Sequence, residues 1–312
     1  VWKDQFGYVV KVHSMKIIVS GASGLVGSAL VPSLEAAGHD VVRLVRRSAA
    51  VASNEIPWNP ERGELDAEII DGANAVINLN GRSIAEGRWS SSVKKELRSS
   101  RLDSTKTLTR GNGNNENPHT LQINHTAVGY NGDRGDDILD ESSSVGTGFL
   151  AELSRDWEAA ALSAKSEQTR VVLLRLGVVV AHGGALGRML MPFKLGVGGP
   201  IGSGRQFWPW IGIEDVCSMI AFILGNEKIE GSVNAVAPQE TRCSEFARTL
   251  GRVLSRPAFM PLPAFAARLA LGEMADSLLL ASQRVRPKVL EDHGYVFRNP
   301  SLDGAIRSAL SF

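Results

Sequence analysis

The chain has 312 residues, 43% hydrophobic and 21% charged, the make-up of a globular protein with a substantial core; a fibrous or low-complexity chain is excluded. Lys and Arg number 34 against 33 Asp and Glu, so no basic excess points to nucleic acid and no polybasic segment points to a membrane. No apolar run reaches membrane-spanning length, and Cys217 and Cys243 lack metal-ligand or CxxC spacing; they read as buried free thiols of a reducing compartment, which implies a cytoplasmic location and no metal site.

Residues 1–14 precede Met15 and lack the apolar centre of a signal peptide, so they read as a leader extension outside the fold. Lys16–Ser20 is a short β-branched strand. It runs into glycines at i, i+3 and i+6, Gly21, Gly24 and Gly27, and a helix is predicted over 28–37 with Pro32 kinking it and Gly38 closing it. Gly21 permits the tight turn, Gly24 lets backbone approach a diphosphate, and Gly27 lets the helix pack closely on the sheet. Gly21, Ser23, Gly24, Leu25, Val26 and Gly27 are therefore candidate dinucleotide contacts. A second strand follows over Asp40–Val45, then an irregular stretch over 48–65 and a strand over 75–81 that ends in Leu79-Asn80-Gly81, a turn expected to flank the adenosine side of the dinucleotide. Residues 91–110 read as a helix. Residues 111–124 are rich in Gly and Asn and are expected to be locally disordered or poorly packed, with at most a short strand over 121–123. A helix over 154–164 and one long buried strand over 170–180 complete a β-α-β-α pattern, hence a doubly wound parallel sheet with helices on both faces.

Beyond Val180 the texture changes. Residues 183–204 are glycine-rich and broken by Pro192 and Pro200; 207–213 reads as a strand, Asp215 as the cap of a helix over 216–224, and Thr241 as the cap of another helix. The expected organisation is a nucleotide-binding domain over 15–182, rejoined by the strand over 207–213, a helix over 215–224 and a strand over 232–236. A smaller lobe over 183–206 and 238–312 would cover the C-terminal edge of the sheet, where substrates bind in open α/β folds. The second strand ends Val45-Arg46-Arg47 with no acid for a ribose 2′-hydroxyl. A guanidinium suits a 2′-phosphate, so NADP is favoured over NAD.

Several motifs carry a specific resemblance: Gly-Ala-Ser-Gly-Leu-Val-Gly (21–27), Trp58-Asn-Pro, Asn78-Leu-Asn-Gly81, Arg88-Trp89, Ser100-Arg101-Leu-Asp-Ser-Thr105, Ala127-Val-Gly-Tyr130, Asp156-Trp-Glu158, Gly198-Gly-Pro-Ile-Gly-Ser-Gly204, Gly272-Glu-Met and Ser282-Gln-Arg-Val. From Met15 to the end, 111–125 excepted, the chain resembles the atypical short-chain dehydrogenase/reductases of the epimerase-like family. The resemblance implies an extended Rossmann fold with a small C-terminal lobe, NADP(H) binding, and an oxidoreductase or epimerase-like activity on an unidentified small molecule. It also implies that Val45, Arg46, Leu79, Asn80, Glu96, Arg101 and Val178 line the cofactor; Glu96 and Arg101 read equally as a surface ion pair.

Short-chain reductases usually relay a proton through a Tyr with a Lys four residues later. Neither is present: the two slots fall at Leu150 and Ser154. Thr126 is left to orient a substrate oxygen and Tyr130 or a water to supply the proton, and His125 reads as a structural histidine or a donor near neutral pH. Asp133 and Arg134 read as a turn. Trp208 stands near the place where sugar-nucleotide epimerases usually carry a diphosphate-clamping arginine, and with Trp210 it reads as an apolar pocket wall or as lobe core. The competing function is a catalytically weak NADP(H)-binding regulator or redox sensor.

Overall fold

A computed structural model describes residues 2–3, 9–10, 14–47, 52–70, 72–112 and 120–311. Upstream of Met15, β1 (Trp2–Lys3) and β2 (Val9–Val10) pair antiparallel as a separate two-stranded sheet. The main chain then runs β3 (Lys16–Ser20), α1 (Gly27–Ala36), β4 (Asp40–Val45), β5 (Glu55–Pro57), α2 (Ala67–Ile70), β6 (Ala75–Asn78), α3 (Ser91–Asn112), β7 (Thr120–Ala127), a 3-10 turn over Val128–Asn131, β8 (Ile138–Leu139), α4 (Phe149–Leu162) and β9 (Thr169–Leu176). It continues through β10 (Val178–Val180), α5 (Gly184–Lys194), β11 (Trp210–Gly212), α6 (Ile213–Leu224), β12 (Gly231–Ala235), α7 (Cys243–Val253), α8 (Ala264–Leu271), a π-helical turn over Ala275–Leu280, β13 (Arg284–Val285), α9 (Lys288–Asp292) and α10 (Leu302–Leu310).

Seven strands form one parallel sheet in the order β12-β9-β7-β6-β3-β4-β5. The period-2 alternation of β3 explains the three layers. Ile17 and Val19 point to the face where Leu30, Val31 and Leu34 of α1 and Val216, Met219, Ile220 and Ile223 of α6 pack. Ile18 points to the opposite face, where Ile70 of α2 and Leu108 of α3 pack. Both faces are covered, as a parallel sheet requires. The doubly wound sheet and its smaller C-terminal lobe are thus as the sequence implies.

Several elements differ from expectation. α1 runs unbroken across Pro32, and the supposedly irregular stretch carries the edge strand β5, paired with β4. β7 is eight residues long, not three, because Asn124 to Ala127 continue its pairing with β9. The expectation of disorder over 111–124 falls partly on 113–119, outside the described residues. The run 170–180 is two strands rather than one. A Cβ at Gly177 would lie 2.8 Å from the Pro209 carbonyl oxygen, and there the chain leaves the main sheet so that β10 pairs with β11. The glycine-rich segment folds into α5, with Pro192 in its last turn. Neither predicted cap is a cap: α6 starts from Gly212 and α7 from Arg242. The Asp215 carboxylate instead accepts from Arg298 N (2.7 Å) and Asn299 N (2.9 Å), and Thr241 Oγ1 accepts from Trp210 Nε1 (2.9 Å).

Candidate functional site

A cleft of about 1340 Å³ opens where β3, β4 and β6 end, bounded by the turn after β3, the start of α1 and the N-terminal half of α3. Gly21 adopts φ +75°, and a Cβ there would sit 2.6 Å from the Leu79 carbonyl oxygen. A Cβ on Gly27 would lie 2.3 Å from the Gly21 carbonyl oxygen, so this glycine lets the turn fold under the helix. Gly24 is different: its Cβ would meet Gly21 O alone, at 3.3 Å, and its outer side faces the cleft. Val26 precedes α1 with no side-chain cap; the Ser28 N–H donates to Gly24 O and the Ala29 and Leu30 N–H groups to Val26 O, so the turn itself satisfies most of the first helical turn, and what faces the cleft is the positive end of the dipole and the Leu25–Gly27 backbone.

Behind the cleft wall lies a buried polar ladder. The Asn78 amide donates to Asn124 Oδ1 (2.7 Å) and Thr105 Oγ1 (3.0 Å), and its oxygen accepts from Ser20 Oγ (2.9 Å) and Asn80 N (3.2 Å). Trp157 Nε1 donates to Thr105 Oγ1 (2.8 Å). A satisfied network of this kind sets the strand ends rigidly and fixes the Leu79-Asn80 backbone beside the cleft. The Asn80 side-chain amide nitrogen, by contrast, is buried and has no partner among the described residues. A buried donor left unpaired costs about 1–3 kcal/mol, and here it lies on the cleft wall.

At the adenosine end, Arg43, Arg46 and Arg47 all line the cleft. Arg47 is ion-paired with Glu55, and Arg43 Nη2 donates to Asn54 Oδ1 (2.7 Å). Arg46 is exposed and makes no ion pair among the described residues. Opposite, Glu96, Ser99, Ser100, Asp103 and Ser104 face the cleft from α3. Glu96 is ion-paired with Arg82 and not with Arg101.

The structure brings Gly21, Ser23, Gly24, Leu25, Val26, Gly27, Val45, Arg46, Arg47, Leu79, Asn80, Gly81 and Glu96 to this cleft. Arg101 and Val178 are not on its wall. The Arg101 guanidinium lies beneath the loop, donating to Leu97 O (3.0 Å) and Arg82 O (3.0 Å), and stacks over Trp157. Burial lowers its pKa to about 10, which leaves it charged. Val178 is committed to β10.

Thr126 and Tyr130 also lie off the cleft. Thr126 Oγ1 donates to Glu158 Oε1 (3.1 Å), and Arg175 clamps both oxygens of that carboxylate at 2.8 Å. The Arg175 guanidinium stacks 3.8 Å over the Tyr130 ring. The Thr126 hydroxyl expected to orient a substrate is thus engaged by the buried Glu158–Arg175 pair, and the half-buried Tyr130 lies against that pair through its ring. His125, one residue earlier, does line the cleft. Its Nδ1 donates to the Asn78 carbonyl (2.9 Å), which fixes the tautomer, and its ring packs edge-on against Trp157. Burial, aided by the Arg101 charge and opposed by the hydrogen bond to the Asn78 carbonyl, lowers its pKa to about 4, so the ring is neutral near pH 7. Trp208 and Trp210 pack in the main core, with Nε1 of Trp208 donating to Leu279 O (3.1 Å). Asp133 and Arg134 form a turn tied to Ser282. Cys217 and Cys243 are buried free thiols with pKa values pushed up by burial to about 12 and 11.

With this geometry in hand, comparison with known proteins is direct. Residues 17–235 match the NAD dependent epimerase/dehydratase family. The chain belongs to that family. Residues 262–309 match a domain of unknown function, DUF1731, and cover much of the C-terminal lobe of this epimerase-family chain. An epimerase family protein of Mycobacterium bovis is 42% identical over 93% of this chain and 96% of its own length. The crystal structure of human epimerase family protein SDR39U1 with NADPH superposes with a TM-score of 0.87 at 34% identity, over 95% of this chain and 99% of that one. A nucleoside-diphosphate sugar epimerase from Corynebacterium glutamicum has a TM-score of 0.77 at 31% identity, over 96% of this chain and 58% of that one.

A dinucleotide fits the residues present. The positive end of α1, the Leu25–Gly27 backbone and the open side of Gly24 supply the field and the space that a diphosphate takes.

Proposed function

We propose that the cleft holds NADP(H), with the diphosphate at the start of α1 and the 2′-phosphate on Arg46, and that the protein is an oxidoreductase or epimerase-like enzyme acting on a small molecule. The observation that carries the reading is Arg46: a guanidinium without an ion pair among the described residues, at the end of β4, with no acid in the place that would hold a 2′-hydroxyl. Arg47 would add field but is already paired with Glu55. The NADPH in the human relative supports the same choice of cofactor. The nicotinamide, when bound, supplies hydride transfer. The chain's own part is to set the diphosphate against the positive end of α1 and the Leu25–Gly27 backbone, and to place a neutral His125 with Nδ1 already engaged beside the ligand.

A second reading keeps the cofactor and drops turnover: an NADP(H)-responsive regulator. It is favoured by Leu150 and Ser154 in the Tyr and Lys slots and by the commitment of Thr126 to Glu158. Titration with NADPH, read by nicotinamide fluorescence and thermal shift, tests the shared premise; a flat response to both removes it. A panel of carbonyl compounds under NADPH then separates the two. Oxidation of cofactor with any of them supports the enzyme, and tight binding with no turnover supports the regulator.

A further inference from the structure

The C-terminal lobe exposes an apolar ledge that its own fold leaves uncovered. Residues 194–202 and 256–264 run side by side, joined by Met260 N to Gly198 O (3.3 Å), Leu262 N to Pro200 O (2.9 Å) and Gly202 N to Leu262 O (2.9 Å). α5 enters this ledge and α8 leaves it. Met191 and Leu195, one turn apart on α5, are 67% and 70% exposed; Phe265 and Leu269, one turn apart on α8, are 72% and 76% exposed. Phe259 lies between the helices at 76%, with Val197, Met260 and Leu262 around it, each about half exposed. α8 buries Ala267 and turns its large apolar side chains outward. From Pro257 to Ala267 no residue carries a charged or hydrogen-bonding side chain.

We propose that this ledge is the interface of a homodimer, closed by a second copy of the chain around a twofold axis. The area decides for a protein partner of this size. At roughly 150–200 Å² for a fully exposed large apolar side chain, the lower end for the aliphatic ones, the eight residues expose on the order of 750–1000 Å². A monomer's largest patch is usually about 300–600 Å², whereas each partner in a standard interface buries about 800 Å². The chemistry favours like on like. The ledge is uncharged at its centre, as interface cores are, and apolar on every element, so an isologous pairing sets apolar against apolar with no unmatched charge. A membrane-docking face carries a dense Lys/Arg rim; here Lys194 and Arg256 stand at one end, and Arg268 is neutralised by Asp276 (2.9 Å). The proposal does not rest on the cofactor reading.

Analytical ultracentrifugation with fluorescence detection, from about 1 nM to about 100 μM chain so that a hundredfold change in a nanomolar Kd is still read, tests it on the full chain. The expected result is twice the chain mass at the upper end. The double variant Phe265→Asp/Leu269→Asp places four carboxylates in the interface and should weaken the dimer at least about a hundredfold. Both positions are exposed, so thermal stability of the monomer and NADPH response should be retained; Phe259→Glu, outside the helix, should act in the same direction. A wild-type monomer throughout the range overturns the proposal, as does a dimer that both variants leave intact. Sedimentation of the monomer with anionic vesicles, lost in the same variants, overturns it in favour of a lipid surface.

Discussion

Gly24 and Gly27 sit three residues apart, yet the structure assigns them opposite roles, and alanine at each position separates fold from ligand. At Gly27 the added Cβ would lie 2.3 Å from Gly21 O, 2.6 Å from Ala22 Cα and 2.8 Å from Ala22 C. All three are backbone atoms, so no side chain can turn aside; the turn itself must move. Overpacking costs about 1–3 kcal/mol and occasionally more; three backbone contacts under 3 Å put Gly27 at the upper end, and the gain of about 1 kcal/mol for replacing a helical glycine by alanine offsets about a third of that. For a chain of this size the melting temperature should fall by several degrees, at about 2–4 °C per kcal/mol, with the cofactor response weakened alongside. At Gly24 the Cβ would touch one atom at 3.3 Å, so Gly24→Ala should melt within about 2 °C of wild type. Its methyl group would stand where the diphosphate approaches, and NADPH affinity should fall at least about tenfold, a loss of about 1.4 kcal/mol. Differential scanning fluorimetry with and without NADPH reads both effects. The reasoning is refuted if Gly27→Ala melts like wild type, or if Gly24→Ala is as unstable as Gly27→Ala while binding NADPH normally.

The buried Glu158–Arg175 pair should be strongly structural. Glu158→Ala leaves a guanidinium uncompensated and should lower urea stability by about 3–5 kcal/mol. Thr126→Val removes one hydrogen bond to the same carboxylate and should cost about 1 kcal/mol with NADPH affinity unchanged; a large affinity loss would restore Thr126 to the site. His125 has a folded pKa of about 4 against the usual 6.5, so the unfolded chain binds the extra proton between those values. Its contribution is complete above pH 6.5 and is lost as pH falls toward 4, by at most about 3 kcal/mol. His125→Gln should flatten urea midpoints in that window, and an imidazole NMR titration with a midpoint near 6.5 would contradict the assignment.

Local pattern carried the nucleotide half of the structure. The bounds of β4 and the three glycines follow from short-range sterics and period-2 alternation, which a sequence displays directly. Glu96, Ser99, Ser100, Asp103 and Ser104 form a polar stripe at helical spacing on α3, a signal that was present and points at the cleft. The failures have a common cause in partners distant along the chain. Thr126 occupies the strand end expected of a catalytic hydroxyl, but its rotamer is set by Glu158 and Arg175. Asp215 and Thr241 have the residue types of helix caps and are drawn instead to Arg298, Asn299 and Trp210. The break at Gly177 is invisible within a β-branched run, because what forces it is Pro209. α5 was hidden by glycines and Pro192, whose weak helix propensity is overridden by the burial of Leu186 and Phe193.

Paired dissociation constants for NADPH and NADH, measured on wild type and on Arg46→Ala, test the central claim most directly. Loss of a charge-assisted contact of about 1.5–3 kcal/mol predicts that wild type prefers NADPH and that Arg46→Ala weakens NADPH about 10- to 100-fold while leaving NADH nearly unchanged. Equal binding of the two nucleotides by wild type, or an equal loss of both in the variant, would place the 2′-phosphate somewhere other than Arg46 and contradict the account.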